Sequence, residues 1–351
     1  MRAPAGSVRE TPEETPARRG AAAHAREIGP RVAPAAPGSA FAAALLAGLA
    51  RRPRSVSPKF FYDAAGSALF DRICELPEYY PTRTELALLA AHAGEMAQCI
   101  GPDADIIEFG AGSSRKIGLL LAALERPRRY VPVDISGEHL HAAAQRLRLE
   151  HPSLDVRPLV ADFTRAFALP AAPAPGRSGH SPRVGFFPGS SIGNFAPAEA
   201  LRFLRRAARM LRGGGLLVGV DLVKDPAVLH AAYNDAQGVT AAFNRNLLQR
   251  ANRELGADFR PDRFAHYAFY EPERQRIEMH LVSLERQRVT VCGRRFDFAP
   301  GETLHTENSH KFTVEGFRAL AARAGFVPGP AWRDREGLFS IHWLGAEPAQ
   351  R

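Results

Sequence analysis

The fold of this chain is decided by Ala104-Asp105-Ile106-Ile107-Glu108-Phe109-Gly110-Ala111-Gly112-Ser113-Ser114-Arg115-Lys116, where an apolar strand runs into a Gly-x-Gly turn and then a helix. A strand, a glycine turn and a helix in this order build a binding site the size of a nucleotide. A second apolar run, Tyr130-Val131-Pro132-Val133-Asp134, ends in a carboxylate where a second parallel strand would place it beside the turn. The two runs together predict a site for a cofactor that carries a ribose.

The details of the turn distinguish between two cofactors. A dinucleotide site requires a third glycine so that the helix can close over a pyrophosphate, and Arg115 occupies that position here. S-adenosylmethionine (SAM) has no phosphate and tolerates a looser turn, and Asp134 can accept two hydrogen bonds from its ribose diol. The sequence therefore favours SAM over NAD, although the turn alone also fits any doubly wound protein.

Length and composition predict a soluble globular protein. The chain has 351 residues, of which 45% are hydrophobic and 24% charged, and this is enough for two compact domains. No apolar stretch reaches the ~20 residues that a bilayer requires, and the N-terminus lacks the order of a secretory signal. We expect a cytoplasmic protein without membrane contact. The three cysteines have no paired spacing, so the sequence predicts neither a metal site nor disulfides.

The basic charge is concentrated at the N-terminus. Residues 1–58 contain nine arginines and four glutamates, so their net charge is +5, which is more than half of the formal charge of +9. Residues 1–38 are rich in Ala, Pro, Gly and Arg, and we predict that they are disordered. The modest charge of the remaining chain argues against a nucleic-acid partner.

The predicted elements alternate as a parallel sheet with crossover helices requires. Ser39 can cap a first helix, and the aromatic-rich segment 59–89 is predicted to form a lid or pocket wall. The predicted strands are 104–109, 129–134, 155–160, 184–187 and 215–221, and the helices between them are 115–125, 137–149 and 197–211.

After Asp221 the alternation is interrupted by an insertion. It is predicted to contain a helical segment, 226–255, followed by the strands 266–271, 276–284, 288–292 and 295–298. A helix at 313–325 and a strand at Phe339-Ser340-Ile341-His342-Trp343-Leu344 then return to the first sheet. We predict an α/β fold of class I, Rossmann-like, SAM-dependent methyltransferases, with a seven-stranded sheet and a smaller α+β domain. Segments 39–85 and 226–311 would bind substrate, and segments 86–225 and 312–347 would bind SAM.

Several motifs between about residues 55 and 345 resemble the L-histidine Nα-methyltransferase family of ergothioneine biosynthesis. They are Phe61-Tyr62-Asp63, Gly66-Ser67-Ala68-Leu69-Phe70-Asp71, Leu76 to Glu85, Phe187-Pro188-Gly189-Ser190-Ser191-Ile192-Gly193-Asn194, Asp221-Leu222-Val223-Lys224-Asp225, Gly238 to Asn246, and Thr306-Glu307-Asn308-Ser309-His310-Lys311-Phe312. The resemblance implies that the chain transfers three methyl groups from SAM to the α-amine of L-histidine, giving the betaine hercynine.

For the cofactor, the resemblance implies contacts from Gly110, Lys116 and Asp134 to the methionine and ribose portions. It places Asp162 beside the adenine, where a carboxylate can accept from the amino group. On sequence alone, Lys116 is equally typical of a solvated surface, and Asp162 of a helix cap.

For the substrate, the resemblance assigns Tyr79, Asn194 and Tyr233 to the amine and carboxylate of the amino acid, with Tyr62 nearby. Met279 also matches the family pattern, although its spacing is that of a core residue.

The resemblance assigns Glu307 and Ser309 to the imidazole. A neutral imidazole has one donor and one acceptor, which a carboxylate and a hydroxyl can pair with. The two residues are two apart, so an extended segment would point them to the same face.

The implied methyl transfer depends more on aligning the amine with the methyl carbon and sulfur of SAM than on a general acid or base. Positioning supplies most of the rate in such a displacement, and burial favours the neutral amine that attacks. If a general base exists, Tyr62 acting through a water is the candidate, and we expect no role for a metal. Asn194 lacks the Pro-Pro-aromatic sequence that base-methylating enzymes place after this position, so the substrate is predicted to be a small molecule.

Two other functions remain open. The chain could methylate another amino acid, such as a tryptophan derivative, or it could bind SAM without catalysis as a partner of another protein. An indole offers only a donor, so Glu307 with Ser309 favours histidine. No apolar stripe is left over for a subunit interface, and we expect a monomer.

Overall fold

A computed structural model of the protein describes residues 39–171 and 181–348. The predicted disordered tail, 1–38, lies outside these residues. The strands are β1 (Arg54–Ser55), β2 (Asp105–Phe109), β3 (Arg129–Asp134), β4 (Asp155–Val156), β5 (Leu159–Val160), β6 (Arg183–Phe187), β7 (Gly214–Asp221), β8 (Phe264–Glu271), β9 (Arg276–Ser283), β10 (Gln287–Val291), β11 (Arg294–Phe298), β12 (Thr303–His310), β13 (Val327–Arg333) and β14 (Phe339–Ala346).

The helices are α1 (Ala40–Ala50), α2 (Ala64–Ile73), α3 (Tyr80–Ile100), α4 (Arg115–Ala123), α5 (Gly137–Glu150), α6 (Pro197–Met210), α7 (Pro226–Tyr233), α8 (Val239–Leu255) and α9 (Val314–Arg323). Short 3-10 helices span Pro58–Phe61, Ser191–Asn194 and Pro261–Arg263. The predicted cap is confirmed, since Ser39 accepts a hydrogen bond from the amide of Ala42 at the start of α1. Every described helix is too short or too polar to cross a bilayer.

The larger sheet has the predicted class I methyltransferase fold. Its strand order is β13-β14-β7-β6-β2-β3, and β4 and β5 both pair with β3 at the far edge. Strands β2, β3, β6 and β7 are parallel, whereas β14 is antiparallel to its neighbours β7 and β13, as predicted for the returning strand.

The edge strand predicted at 155–160 is present as two short pieces, β4 and β5. Pro158 lies between them and has no N–H to donate to the ladder. The six strands whose positions were predicted are therefore present, with the edge strand interrupted at the proline, and β13 brings the sheet to the predicted total of seven when β4 and β5 are counted as one. Strand β13 was not among the predicted strands.

A second sheet has the order β1-β12-β9-β8, and a two-stranded hairpin, β10 and β11, lies between β9 and β12 in the chain. Strands β8, β9 and β12 are antiparallel, whereas β1 joins the far side of β12 in parallel. The apolar side of this sheet packs on α7 and α8 in a core that also includes the N-terminal helices. The division into a SAM-binding and a substrate-binding domain stays a prediction that these separate sheets support.

The segment before the glycine turn is more regular than the sequence indicated. Residues 80–100 form the long helix α3, which begins with Pro81 in its first turn, where a missing N–H costs nothing. Its buried side packs on the larger sheet through Leu88, Leu89 and Met96. The predicted lid segment is thus divided, with α2 and the aromatic residues near the cavity and α3 against the sheet.

Candidate active site

A cavity of about 740 Å³ lies at the carboxyl ends of β2 and β3, and three of the four residues predicted for the cofactor line it. They are Gly110, Lys116 and Asp134. Ligands of open α/β sheets bind at this edge. The cavity is therefore where the sequence predicts the cofactor.

The glycine turn is tied to the neighbouring strand. Amides of Gly110 and Ala111 both donate to the carbonyl of Val133, at 2.9 and 3.2 Å. Gly110 has a φ of +73°, which glycine adopts without strain, and a side chain there would also meet the Phe163 ring at 3.4 Å. The turn leaves its backbone facing the cavity, as a bound nucleoside requires.

Asp134 ends β3 beside this turn. Its Oδ1 accepts from the amide of Ser136 at 2.7 Å, which fixes the carboxylate. Burial raises the pKa of Asp134 above its ordinary value. A half-buried carboxylate held in this way fits the ribose diol of SAM.

Glu108 is a cavity residue that the sequence analysis did not single out. It is buried near the end of β2 and accepts a short hydrogen bond from the Tyr130 hydroxyl. Burial raises the pKa of Glu108 to about 8, although Tyr130 and Lys116 act in the opposite direction. A glutamate inside an apolar strand was the available signal, because buried carboxylates are rare without a partner.

Lys116 is held at the cavity by a buried acid. Its Nζ lies 2.6 Å from Oε2 of Glu85, a fully buried residue of α3. The same carboxylate accepts from the amide of Gly189, at 2.8 Å to Oε2. Lys116 is therefore not the solvated surface residue that its sequence position also allowed.

Asp162 differs from the other cofactor candidates, because its neighbours Phe163 and Thr164 line the cavity while it does not. Its carboxylate accepts from the amide of Thr164 at 3.0 Å and pairs with Lys59 at 2.8 Å. Although burial opposes it, hydrogen bonds from Lys59 and Thr164 lower the pKa of Asp162. The contact with adenine stays a prediction.

All the residues predicted to bind substrate line a smaller cavity of about 50 Å³. They are Tyr62, Tyr79, Asn194, Tyr233, Met279, Glu307 and Ser309. Tyr62, Tyr79, Asn194 and Glu307 line the larger cavity as well. The predicted cofactor and substrate regions are therefore adjacent.

Asn194 reaches this point because the chain turns sharply after β6. Ser190 adopts a left-handed backbone with a φ of +54°, and the 3-10 helix Ser191–Asn194 follows. Gly193 packs on β12 so closely that a Cβ atom would lie 2.7 Å from the carbonyl of His310. This close approach brings the amide of Asn194 to the strand that carries Glu307.

The pocket tyrosines form an aromatic wall. Tyr79 packs edge-on against Tyr233 with ring centroids 6.5 Å apart, and Tyr62 packs edge-on against Phe243 at 5.7 Å. Burial raises the pKa of Tyr62 and of Tyr79 well above the usual value. Both phenols are therefore neutral near pH 7, and Tyr62 would not act as a phenolate base.

Glu307 and Ser309 lie on β12, which the sequence analysis treated only as an extended segment. Glu307 is opposite Met279 of β9, just after a register shift that begins at His305. Both side chains face the small cavity, as the spacing of two predicts. Burial raises the pKa of Glu307 to about 7, with Lys311 acting in the opposite direction.

A buried charge network that was not predicted from the sequence lies beneath this pocket. Asp221 is paired with Lys311 at 2.7 Å and with Lys224 at 2.6 Å. The Tyr80 hydroxyl donates to the same carboxylate at 2.8 Å. All four residues fall within the quoted motifs, which was the signal that could have drawn attention to them.

Among the described residues, one group brings potential metal ligands within 4.8 Å of one another, and it consists of Glu278, His280 and His305. Glu278 is already paired with Arg276 and with Nε2 of His280, the latter at 3.1 Å. No part of the proposed reaction uses this group.

Comparisons with known proteins agree with the geometry. A family model described as histidine-specific methyltransferase, SAM-dependent, matches residues 41–346. The chain is 43% identical over 301 residues to the histidine N-alpha-methyltransferase of Mycolicibacterium smegmatis, covering 84% of this chain and 91% of that protein. The protein of the same name from Mycobacterium tuberculosis is 42% identical over 300 residues, with the same coverage. Ergothioneine biosynthesis protein 1 of Neurospora crassa is 30% identical over 298 residues, which are 80% of this chain and 32% of that protein.

Proposed function

This chain belongs to the family of histidine-specific, SAM-dependent methyltransferases, and we propose that it methylates the α-amine of L-histidine three times. The product is hercynine, a precursor in ergothioneine biosynthesis. SAM supplies each methyl group from its sulfonium centre and leaves as S-adenosylhomocysteine. The relatives whose names include histidine N-alpha-methyltransferase support this proposal.

One observation carries the assignment: Asn194 and Glu307 line both the larger and the smaller cavity. A single amino acid could therefore present its amine toward the methyl donor while its ring lies in the smaller cavity. In this proposal Gly110, Lys116 and Asp134 hold SAM, with Asp162 near the adenine. Asn194, Tyr79 and Tyr233 bind the amine and carboxylate of histidine.

The ring contacts support histidine over an indole. The Glu307 carboxylate accepts a hydrogen bond from the ring N–H, and the Ser309 hydroxyl pairs with the other nitrogen. Met279 packs beside the ring. An indole has a single N–H and would leave one of the two polar groups unpaired, which is costly in a buried pocket.

The pocket favours the reactive form of the substrate. Burial among neutral phenols and an asparagine disfavours an ammonium group, so the amine loses its proton more readily. The proton passes to solvent, and Tyr62 is proposed to hold a water on that route as a neutral hydrogen-bond partner. The residues then supply alignment of the amine with the methyl carbon, which is the larger contribution to rate.

A methyl-transfer assay tests the proposal. The purified protein is incubated with SAM and histidine, tryptophan or no amino acid, and products are identified by mass spectrometry. We expect mono-, di- and trimethylated histidine in succession. Methylation of tryptophan alone would favour the second function, and SAM binding without any product would favour the non-catalytic partner.

The proposal also includes a cytoplasmic monomer that uses no metal and binds no nucleic acid. Sedimentation velocity over a range of protein concentrations tests the monomer. Activity after treatment with EDTA and desalting tests the independence from metal ions.

A further inference from the structure

Lys311 contacts three oxygen atoms directly beneath the proposed ring pocket. Its side chain has an exposed fraction of 0%, and its Nζ lies 2.7 Å from Oδ2 of Asp221. The same Nζ lies 2.8 Å from Oγ of Ser309 and 3.2 Å from Oη of Tyr233. An ammonium group has three protons and no lone pair, so these three oxygens account for all of its donors.

The two hydroxyls that Lys311 contacts also bond to each other. The Tyr233 hydroxyl donates to Oγ of Ser309 at 2.7 Å. A serine hydroxyl has one proton and two lone pairs, and here Lys311 and Tyr233 occupy both lone pairs. The Ser309 oxygen is therefore saturated as an acceptor, and its proton is the one group left to face the pocket.

We propose that Lys311 is a positioning residue that fixes the Ser309 hydroxyl as a hydrogen-bond donor and thereby sets which ring the pocket accepts. The inference rests on the proposed function, because it assumes that the ring of the substrate meets Ser309. The site then takes a neutral imidazole in one orientation, with the lone-pair nitrogen at Ser309 and the N–H at Glu307.

The same count of donors and acceptors at Ser309 and Glu307 disfavours an imidazolium and an indole. An imidazolium has two N–H donors, and Ser309 has no lone pair to accept the second one. An indole has no ring acceptor, so the Ser309 proton would face carbon. Removal of Lys311 frees one lone pair of Ser309, and the hydroxyl can then rotate to accept as well as donate.

The network keeps Lys311 charged, which the proposal requires. Burial opposes the charged form, but the Asp221 carboxylate and Tyr233 outweigh it and raise the pKa of Lys311 above its ordinary value. Correspondingly, Lys311 and Lys224 lower the pKa of Asp221 against the effect of burial. The cation is thus a permanent donor across the pH range in which the enzyme is assayed.

Lys224 provides a matched control. It also pairs with Asp221, at 2.6 Å, and donates to the Tyr80 hydroxyl at 2.7 Å. Its hydrogen bonds go to Tyr80, Asp221 and the carbonyl of Leu222, and none of them reaches Ser309 or Tyr233. Lys311→Met and Lys224→Met therefore both remove a cation from Asp221, and only the first removes donors from the pocket hydroxyls.

The test measures kcat/KM with histidine and with tryptophan for wild type and both variants, using an inhibition constant where tryptophan is not methylated. We expect Lys311→Met to lower the preference for histidine by roughly tenfold, the effect of losing one oriented hydrogen bond. Lys224→Met is expected to lower the melting temperature and leave the preference within about twofold. An equal loss of preference in both variants would overturn the proposal.

A double-mutant cycle separates positioning through Ser309 from a general effect. If Lys311 acts through Ser309, Lys311→Met changes the histidine preference little in a Ser309→Ala background. Additive effects would contradict the proposal. The proposed function fails independently, in the wild-type assay, if histidine is neither methylated nor bound.

Should Lys311→Met fail to fold, Lys311→Arg keeps the charge and alters the donor geometry. Its preference for histidine is then expected to fall while its melting temperature stays closer to that of the wild type. An unchanged preference in a folded arginine variant would also count against the proposal.

Discussion

The Nζ atom of Lys116 lies 2.6 Å from Oε2 of Glu85, and this pair joins α4 to α3 beneath the larger cavity. Gly189, at the turn after β6, donates its amide to the same carboxylate at 2.8 Å. Glu85 is fully buried, whereas the Lys116 side chain is 15% exposed where it lines the cavity. One carboxylate thus holds a helix, a lysine and a turn that surround the proposed methyl donor.

Replacing Glu85 by glutamine should destabilise the protein and weaken SAM binding. The change leaves Lys116 without its counter-charge in a buried setting, which costs about 3 kcal/mol in comparable pairs. Differential scanning fluorimetry and isothermal titration with SAM measure the two effects. Glu95→Gln, on the exposed side of the same helix, is the control, and equal losses in both variants would show that the buried pair is not important.

Gly219→Ala should disturb the same carboxylate from the other side. A Cβ atom at Gly219 would lie 2.0 Å from Oε1 of Glu85 and 3.0 Å from the ring of Phe339. We expect a loss of about 1–3 kcal/mol in the free energy of unfolding, as in overpacked cores. Gly118→Ala is the matched control, because a Cβ atom there meets nothing within 4 Å. A melting temperature equal to that of the control would contradict the prediction.

Asp134→Asn should weaken SAM binding selectively. The asparagine keeps an oxygen for the amide of Ser136 and loses the charge that would accept from the ribose diol. We expect the Kd for SAM to rise by roughly tenfold or more, with the Kd for histidine changing less. Asp155→Asn, at the far edge of the same sheet, should leave both constants unchanged. A similar Kd for SAM in the two variants would exclude Asp134 from the site.

Glu307 should give the unliganded protein a distinctive dependence of stability on pH. Burial raises the pKa of Glu307 to about 7 in the folded protein. As the pH rises past the ordinary pKa of a glutamate, the unfolded chain therefore loses the Glu307 proton while the folded protein still holds it. Stability is therefore greatest below that ordinary pKa and falls until the pH passes about 7.

The comparison is between wild type and Glu307→Gln, with chemical unfolding at pH 5 and pH 8. Relative to the variant, wild type should lose about 2–3 kcal/mol between the two values. Glu108, whose pKa is raised to about 8 by burial, is present in both proteins and cancels. Parallel pH curves would mean that Glu307 is not buried as an acid in solution.

The larger sheet could be predicted because its strands are apolar runs that end in turn residues. Strand β12 is different, since Thr303–His310 contains mostly polar and titratable side chains and shows no apolar alternation. Its strand conformation comes from pairing with β9 and β1. Helix α3 begins with Tyr80 and Pro81, residues that are also common in turns. The helix is stabilised by packing on the larger sheet, and the sequence does not show that contact.

Most of the residues that line the two cavities were singled out by motifs, and the buried charges behind them were not. Glu85 and Lys116, like Tyr80 and Asp221, are far apart in the chain and meet only in the folded protein. A buried carboxylate cannot be distinguished from an exposed one by its letter in the sequence. For Asp162 the position in the sequence suggested too much. It follows a predicted strand, as cofactor-binding residues of this fold do, but its side chain does not line the cavity.

The parallel pairing of β1 with β12 has a consequence for synthesis of the protein. Arg54 of β1 bonds to Glu302, which lies 248 residues further along the chain. While the ribosome is still adding the middle of the chain, the strands β2 to β7 can already pair, but β1 and the aromatic residues that follow it have no sheet to join. The pocket lined by Tyr62, Glu307 and Ser309 therefore cannot form until β12 has been made, and until then the apolar residues that follow β1 stay exposed on the nascent chain.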